Sequence, residues 1–230
     1  MPISQYHHDL IVQYNSSYRN GLTTQEASER RSDSDGLNCI DPPIKCPKWV
    51  CCLLPCINHT PSMKQFRLVQ PDDAEVLRDG NWIRYDAASL VIGDIVRLVE
   101  GDVVPADCVV ISLGMDHVEE TAQSIENGSS ADGVDSLEMT VDSHFITGES
   151  KPRRISVDAN RAAEPATLYY GSRILEGACV ALVVQTGKRV LLAHLITQGR
   201  WPPKHDLTEK VKSGDFLRRD DEGISLISVT

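Results

Sequence analysis

Thr147-Gly148-Glu149-Ser150 is the stretch of this sequence whose residue types could do chemistry. A carboxylate on a short, well-held loop can orient a water molecule or accept its proton. Gly148 lets the backbone turn sharply or come close to another surface. Pro152 stiffens the exit from the loop, and Thr147 has a hydroxyl able to fix it from within. Asp142, Ser143 and His144 lead in, followed by the apolar pair Phe145-Ile146. Taken alone, four such residues prove little, and a solvated turn is the commoner explanation. His144 could act as a proton relay beside Glu149, although a histidine with no ligand role is the plainer reading. The flanking chain has to decide.

That flanking chain reads as short strands. Ala74 to Leu77 and Trp82 to Tyr85 form a predicted hairpin with Asp79-Gly80 at its turn. Gly93-Asp94 enters a strand over Ile95 to Val99, and Gly101-Asp102 turns toward another over Cys108 to Leu113. Further strands are expected at Ser136 to Val141, Arg153 to Val157, Leu168 to Gly171, Arg173 to Gly177 and Ala178 to Gln185, before an amphipathic helix over Arg189 to Gln198. Turn signals this closely spaced indicate a β-sandwich or barrel-like unit. Cys108 and Cys179 fall inside strands, so they read as core thiols and not as nucleophiles.

The remainder divides around this unit. Residues 1–38 read as an N-terminal arm, loose as far as Asn20, with a short helix over about Thr24 to Arg31. Thr23 and Glu26 have capping-box spacing there, with Leu22 and Ala27 at the staple positions. Residues 39–73 read as a Cys-rich linker, 74–198 as the β domain with an acidic insert at 114–136, and 199–230 as a charged tail. Net charge is −10, and eight carboxylates between Asp116 and Asp142, with no Lys or Arg among them, account for all but about −2. No basic footprint for nucleic acid is present.

Cys39, Cys46, Cys51, Cys52 and Cys56, with His59, suggest zinc by composition. They lack a CxxC pair, and adjacent Cys51-Cys52 cannot easily share one ion, so no metal is expected. Two readings stay open: S-acylation beside Trp49, Leu53 and Leu54, or, more plainly, thiols padding an apolar patch. The longest apolar run, Trp49 to Ile57, is nine residues broken by Pro55, against ~20 needed to span a bilayer. No secretory signal is visible, so a cytoplasmic setting with reduced thiols is expected, with peripheral association at a membrane's cytosolic face as a possibility.

Five ordered pieces across Ala74 to Ile196 together resemble the actuator domain of P-type cation-transporting ATPases. Gly93-Asp94-Ile95-Val96 and Gly101-Asp102-Val103-Val104-Pro105-Ala106-Asp107 are similar to the family's GDxV and GDxxPAD pair. Asp142 to Pro152 resembles its DxSxLTGESxP block, Tyr170-Gly171-Ser172 with Gly177 the strands that follow, and Thr186-Gly187 the last turn. Gly21 to Ala27 resembles the same pumps' cytosolic N-terminal domain. Arg78-Asp79-Gly80 with Ala193 to Ile196 leans toward the plasma-membrane proton-pump branch. Ser143, His144, Phe145, Val190 and Ala193 depart from the usual pattern but leave the Thr-Gly-Glu core intact.

The resemblance implies a mainly β fold, a distorted jelly-roll with short flanking helices. It also implies catalytic roles for Thr147, Gly148 and Glu149. In the family this loop swings onto the phosphorylation site, and the glutamate positions water against an aspartyl phosphate. The Asp-Lys-Thr-Gly-Thr motif that would carry that phosphate is absent from this sequence, so a complete ATPase is not expected, nor is a cofactor. The implied partner is a P-type ATPase catalytic subunit or phosphorylation domain. Alternatives are a non-catalytic regulatory or binding module, or a fragment of a longer ATPase gene product. No GxSxG, HExxH, Walker or dinucleotide motif favours another enzyme.

Overall fold

Asp79 and Gly80 both take positive φ, 50° and 75°, the backbone of a two-residue hairpin turn whose twist matches its strands. They join β1 (Asp73–Arg78) to β2 (Asn81–Asp86) in unbroken register, from Asp73 opposite Asp86 to Arg78 opposite Asn81. This is the hairpin predicted from the sequence. The computed structural model describes residues 5–33, 36–45, 60–114, 138–156 and 166–203.

Within these residues β3 (Ile95–Val99), β4 (Asp107–Leu113), β5 (Glu138–Asp142), β6 (Arg153–Ser156), β7 (Thr167–Leu168), β8 (Arg173–Glu176) and β9 (Ala178–Gln185) complete the strands. One sheet has the order β2-β1-β3-β9-β4-β7 and the other β6-β5-β8. Every named pairing is antiparallel. The mainly β, jelly-roll-like architecture with short flanking helices is therefore as expected. The strand predicted over Leu168 to Gly171 is shorter, because the chain turns at Tyr170-Gly171 instead of continuing.

Side chains alternate between two layers. Cys179, Ala181 and Val183 of β9 face inward with Val96, Val110, Met139, Val141 and Ile174, forming a core between the sheets. Val180, Leu182 and Val184 project the other way, with Leu77, Ile95 and Ile111. A strand buried on both faces needs cover on both. That second face is covered by α1 (Gln5–Gln13), whose Leu10 and Ile11 are buried in the same cluster. The loose arm expected before Asn20 is thus corrected. Burying two such side chains contributes about 1.5–3 kcal/mol each, enough to hold a helix with little amphipathic pattern of its own.

Helix α2 (Thr24–Asp33) starts at the predicted capping box: Thr23 N donates to Glu26 Oε2 at 2.8 Å, and Glu26 N to Thr23 Oγ1 at 3.1 Å. The Thr23 N–H and hydroxyl, both donating to it, hold the Glu26 carboxyl below its ordinary range. Leu22, Ala27 and Val91 pack together, while Arg30 reaches the carbonyls of Tyr14, Asn15 and Ile92. The segment read as a linker contains α3 (Pro61–Leu68), which buries Phe66, with Val69 buried just beyond it. Cys46, Cys51, Cys52, Cys56, His59, most of the acidic insert and residues 204–230 lie outside the described residues. Cys39 is exposed, whereas Cys108 and Cys179 are buried in the core as expected.

Candidate functional site

The Thr-Gly-Glu segment connects β5 to β6, and the last cross-strand pair before it is Val141 opposite Arg153. It is more ordered than a plain loop. Asp142 Oδ1 accepts from His144 N at 2.8 Å, and one helical turn follows, α4 (His144–Thr147). Gly148 ends it in the left-handed conformation, φ 77°, donating its N–H to His144 O at 3.0 Å. That conformation is one glycine adopts without steric cost.

Thr147 is buried, and both its backbone N and its Oγ1 donate to Ser143 O, at 2.9 and 3.2 Å. The hydroxyl therefore fixes the loop internally, as its position suggested. Glu149 follows, half-buried. Its carboxylate receives no hydrogen bond or ion pair from any described residue. His144 Nδ1 lies 3.1 Å from the backbone oxygen of Glu149 and makes no bond to its carboxylate. The proton-relay reading of His144 is thus not supported by the geometry, which instead uses the ring to brace the loop.

Four outside segments seat the loop. Ile146 is fully buried in a cluster with Phe66, Val69, Tyr170, Leu192, Leu195 and Trp201. Leu192 and Leu195 belong to α5 (Leu191–Thr197), which begins two residues later than the predicted helix. Trp201 Nε1 donates to Phe145 O at 2.6 Å. Ser143 Oγ and Ser172 Oγ are 2.9 Å apart and both buried. Gly171 leaves no room for a side chain here, since a Cβ would lie 2.8 Å from Val69 Cβ and 3.2 Å from Ile146 Cδ1.

Asp107, the last residue of the Pro-Ala-Asp run, ties this seat together. Its Oδ1 accepts from Tyr170 N at 2.8 Å and its Oδ2 from Leu191 N at 2.7 Å. Burial pushes its carboxyl up to about 7, against the pull of those two N–H groups. Burial likewise pushes Tyr169 up to about 12; Arg153 opposes this shift, while the Asp107 and Glu149 carboxylates add to it.

Sequence reasoning missed Ser172 and Trp201 as supports and did not assign Asp107 its role. Asp107 and Ser172 each sat in a quoted motif, but neither motif announced the contact its side chain makes. Trp201 carried a fainter signal, as a large apolar residue just before Pro202-Pro203. Among the described residues no cluster of three or more metal-ligating side chains occurs, and no helix is long and apolar enough to cross a membrane.

Residues 68–123 match the family model of the P-type ATPase actuator domain. That span covers β1 to β4 and stops short of the Thr-Gly-Glu loop. Potassium-transporting ATPase alpha chain 1 of Xenopus laevis is 28% identical over 143 residues, 61% of this chain and 12% of that protein. Sodium/potassium-transporting ATPase subunit alpha-3 of Homo sapiens is 29% identical over 138 residues, 59% of this chain and 11% of that one. A calcium-transporting ATPase of Plasmodium falciparum is 29% identical over 138 residues, 60% and 10% of the two chains. The chain spans about a tenth of the length of these relatives. They lend no specific support to the proton-pump branch. A crystal structure of a zinc-transporting PIB-type ATPase in the E2.Pi state overlaps 70% of this chain and 19% of its own, at 16% identity and a TM-score of 0.41.

Proposed function

We propose that the β domain works as a P-type ATPase actuator module in which Glu149 orients water against an aspartyl phosphate on a phosphorylation domain. The partner is a P-type ATPase catalytic region, whether carried by the same polypeptide or by another. The setting is the cytosolic side of the membrane that holds the pump. The observation that supports this reading best is the contrast within the loop. Thr147 is buried and doubly bonded and Gly148 closes the helical turn, while the adjacent Glu149 carboxylate has no bonding partner among the described residues. A carboxylate held on a rigid mount and left unsatisfied suits a group whose partner is a water and a phosphoryl group.

In this reading Thr147 and Gly148 set the position of Glu149 and allow the backbone to approach the phosphoryl group. Electrostatics limits when the loop can act, because a carboxylate near an anionic phosphoryl group needs the charge balanced by the partner domain. The test is the lifetime of the acyl phosphate on a phosphorylated pump. Addition of this chain is expected to shorten it, and Glu149→Gln to abolish the effect while keeping the fold. Equal acceleration by wild type and Glu149→Gln would refute a role for the carboxylate. Capture of the pump by both forms without acceleration by either would instead favour a non-catalytic binding role.

A further inference from the structure

The hairpin that carries the loop ends in Arg153-Arg154-Ile155-Ser156, two guanidinium groups followed by an exposed hydroxyl. Ile155 is buried, so Arg154 and Ser156 alternate with it and face outward. Arg154 makes no hydrogen bond or ion pair with any described residue, and it lines a shallow surface depression with Lys151, Pro152, Thr140 and Glu176. Arg153 has one guanidinium nitrogen committed to the carbonyl of Thr167. Strand β6 lies at one side of its sheet, pairing with β5 only among the described residues.

A second run of the same kind, Arg30-Arg31-Ser32, provides an internal contrast. Both arginines there are spent on the fold, Arg30 on three carbonyls and Arg31 on Ser89 O at 2.9 Å. Ser32 Oγ already donates to Ser28 O within α2, at 3.1 Å. Of the two runs, only the one on β6 offers, on extended backbone, a guanidinium and a hydroxyl that bond to no other described residue.

We propose that Ser156 is a phosphorylation site for an arginine-directed protein kinase, and that the phosphate loosens the β5–β6 hairpin on which the Thr-Gly-Glu loop is mounted. Such a kinase grips guanidinium groups ahead of the acceptor with carboxylates of its own. Ser156 Oγ forms a bond to the γ-phosphorus of a nucleoside triphosphate, the bond from that phosphorus to the β-phosphate oxygen breaks, and the diphosphate leaves. The hydroxyl proton passes to the kinase's base.

The consequence follows from register. Ser156 stands directly opposite Glu138, and Arg154 opposite Thr140. A phosphoserine carries about −1.5 to −2 charge, so two like charges would face one another across the strands, an arrangement that weakens pairing. Arg154 attracts the phosphate too, but it lies on the same strand. That attraction survives when the strands part, whereas the repulsion from Glu138 is relieved, so the balance favours opening. This holds whether or not Glu149 acts on an acyl phosphate, because it concerns only the hairpin.

The test treats the full chain with the catalytic subunit of an arginine-directed kinase and ATP, locates the phosphate by mass spectrometry, and follows amide hydrogen exchange. Ser156 is expected to be modified, Ser156→Ala to lose that phosphate, and Arg154→Ala to slow its addition. Exchange across 138–142 and 147–156 is expected to rise about two- to five-fold on phosphorylation. Glu138→Gln should suppress that rise without preventing modification. Ser156→Ala, left unphosphorylated, should exchange like wild type, which separates the effect from misfolding. Phosphate on Ser32 but not on Ser156 would overturn the site. Modification with unchanged exchange, or an equal rise in Glu138→Gln, would overturn the consequence.

Discussion

Two Gly-Asp turns in this chain share one backbone geometry and differ in what their aspartate carboxylates hold. At Gly93-Asp94 the aspartate N–H donates to Val91 O at 3.1 Å, and its carboxylate accepts from Val91 N at 2.8 Å. At Gly101-Asp102 the same pair is made with Val99, at 3.1 and 2.9 Å. Both glycines have φ 93°. Yet Asp94 is fully buried and holds Arg78 in two bonds, of 3.0 and 2.6 Å, while Tyr85 stacks on the guanidinium. Burial alone would lower the Arg78 pKa, but the bond to Asp94 more than offsets it and leaves it raised. Asp102 is half-buried and pairs with no such cation among the described residues. A Cβ on Gly93 would come within 2.2 Å of Arg30 Nη1, whereas one on Gly101 would meet nothing within 4 Å. One short motif therefore does two jobs. In the first turn the carboxylate ties the hairpin to the entry of β3 beside Arg30 of α2, whereas in the second it makes only the local cap while the turn's backbone pairs with Ile174 of β8.

Substitutions can break that contrast or sharpen it. Asp94→Ala should show the largest loss, about 3–5 kcal/mol, because it leaves Arg78 charged, buried and unpaired. Urea unfolding measures it, and a loss no greater than that of Asp102→Ala would erase the distinction. Asp107→Ala comes next, at about 1–3 kcal/mol, because it strands two buried N–H groups that water can partly reach through the space it opens. Its carboxyl stands at about 7 in the folded chain against an ordinary 3.8, so the folded state binds that proton more tightly than the unfolded state. Its stabilisation is complete below about pH 4 and is lost as pH rises through about 7. Asp107→Asn should flatten that part of the stability–pH curve, and an unaltered slope would remove the assignment.

Asp102→Ala should cost about 1 kcal/mol, as loss of a local cap does. Glu149→Gln, at the bottom of the series, should leave stability within about 0.5 kcal/mol. A clearly destabilised Glu149→Gln would mean the carboxylate serves the fold and not a partner. Carboxylates in recognisable motifs thus range from structural to unsatisfied, and the two kinds separate by what they touch.

Elements whose cause is local were legible in the sequence. Asp79-Gly80 fixes its hairpin by turn chemistry, Thr23 and Glu26 fix a helix start by their own hydrogen bonds, and Val180 to Val184 is an unbroken apolar run, as in a strand buried on both faces. Helix α1 was not legible, because Leu10 and Ile11 are adjacent residues in a polar stretch and are made helical by the sheet they cover. The same holds for α3, where Phe66 acquires meaning only against Trp201, with ring centroids 6.1 Å apart. Of the candidate site, the Thr-Gly-Glu run and its fixing threonine were readable. Its seat was not, since Ser172, Leu192 and Trp201 converge on it only through the fold.

The bond from Trp201 to Phe145 spans 56 residues of chain, and it joins a late segment to an early one. A polypeptide is made from its N-terminus and its domains fold as units when their parts are available. The Thr-Gly-Glu turn therefore leaves the ribosome well before the indole and α5 that fasten it. During synthesis it waits unfastened, and a nascent chain halted before Leu191 would display the motif without the mount that aims it.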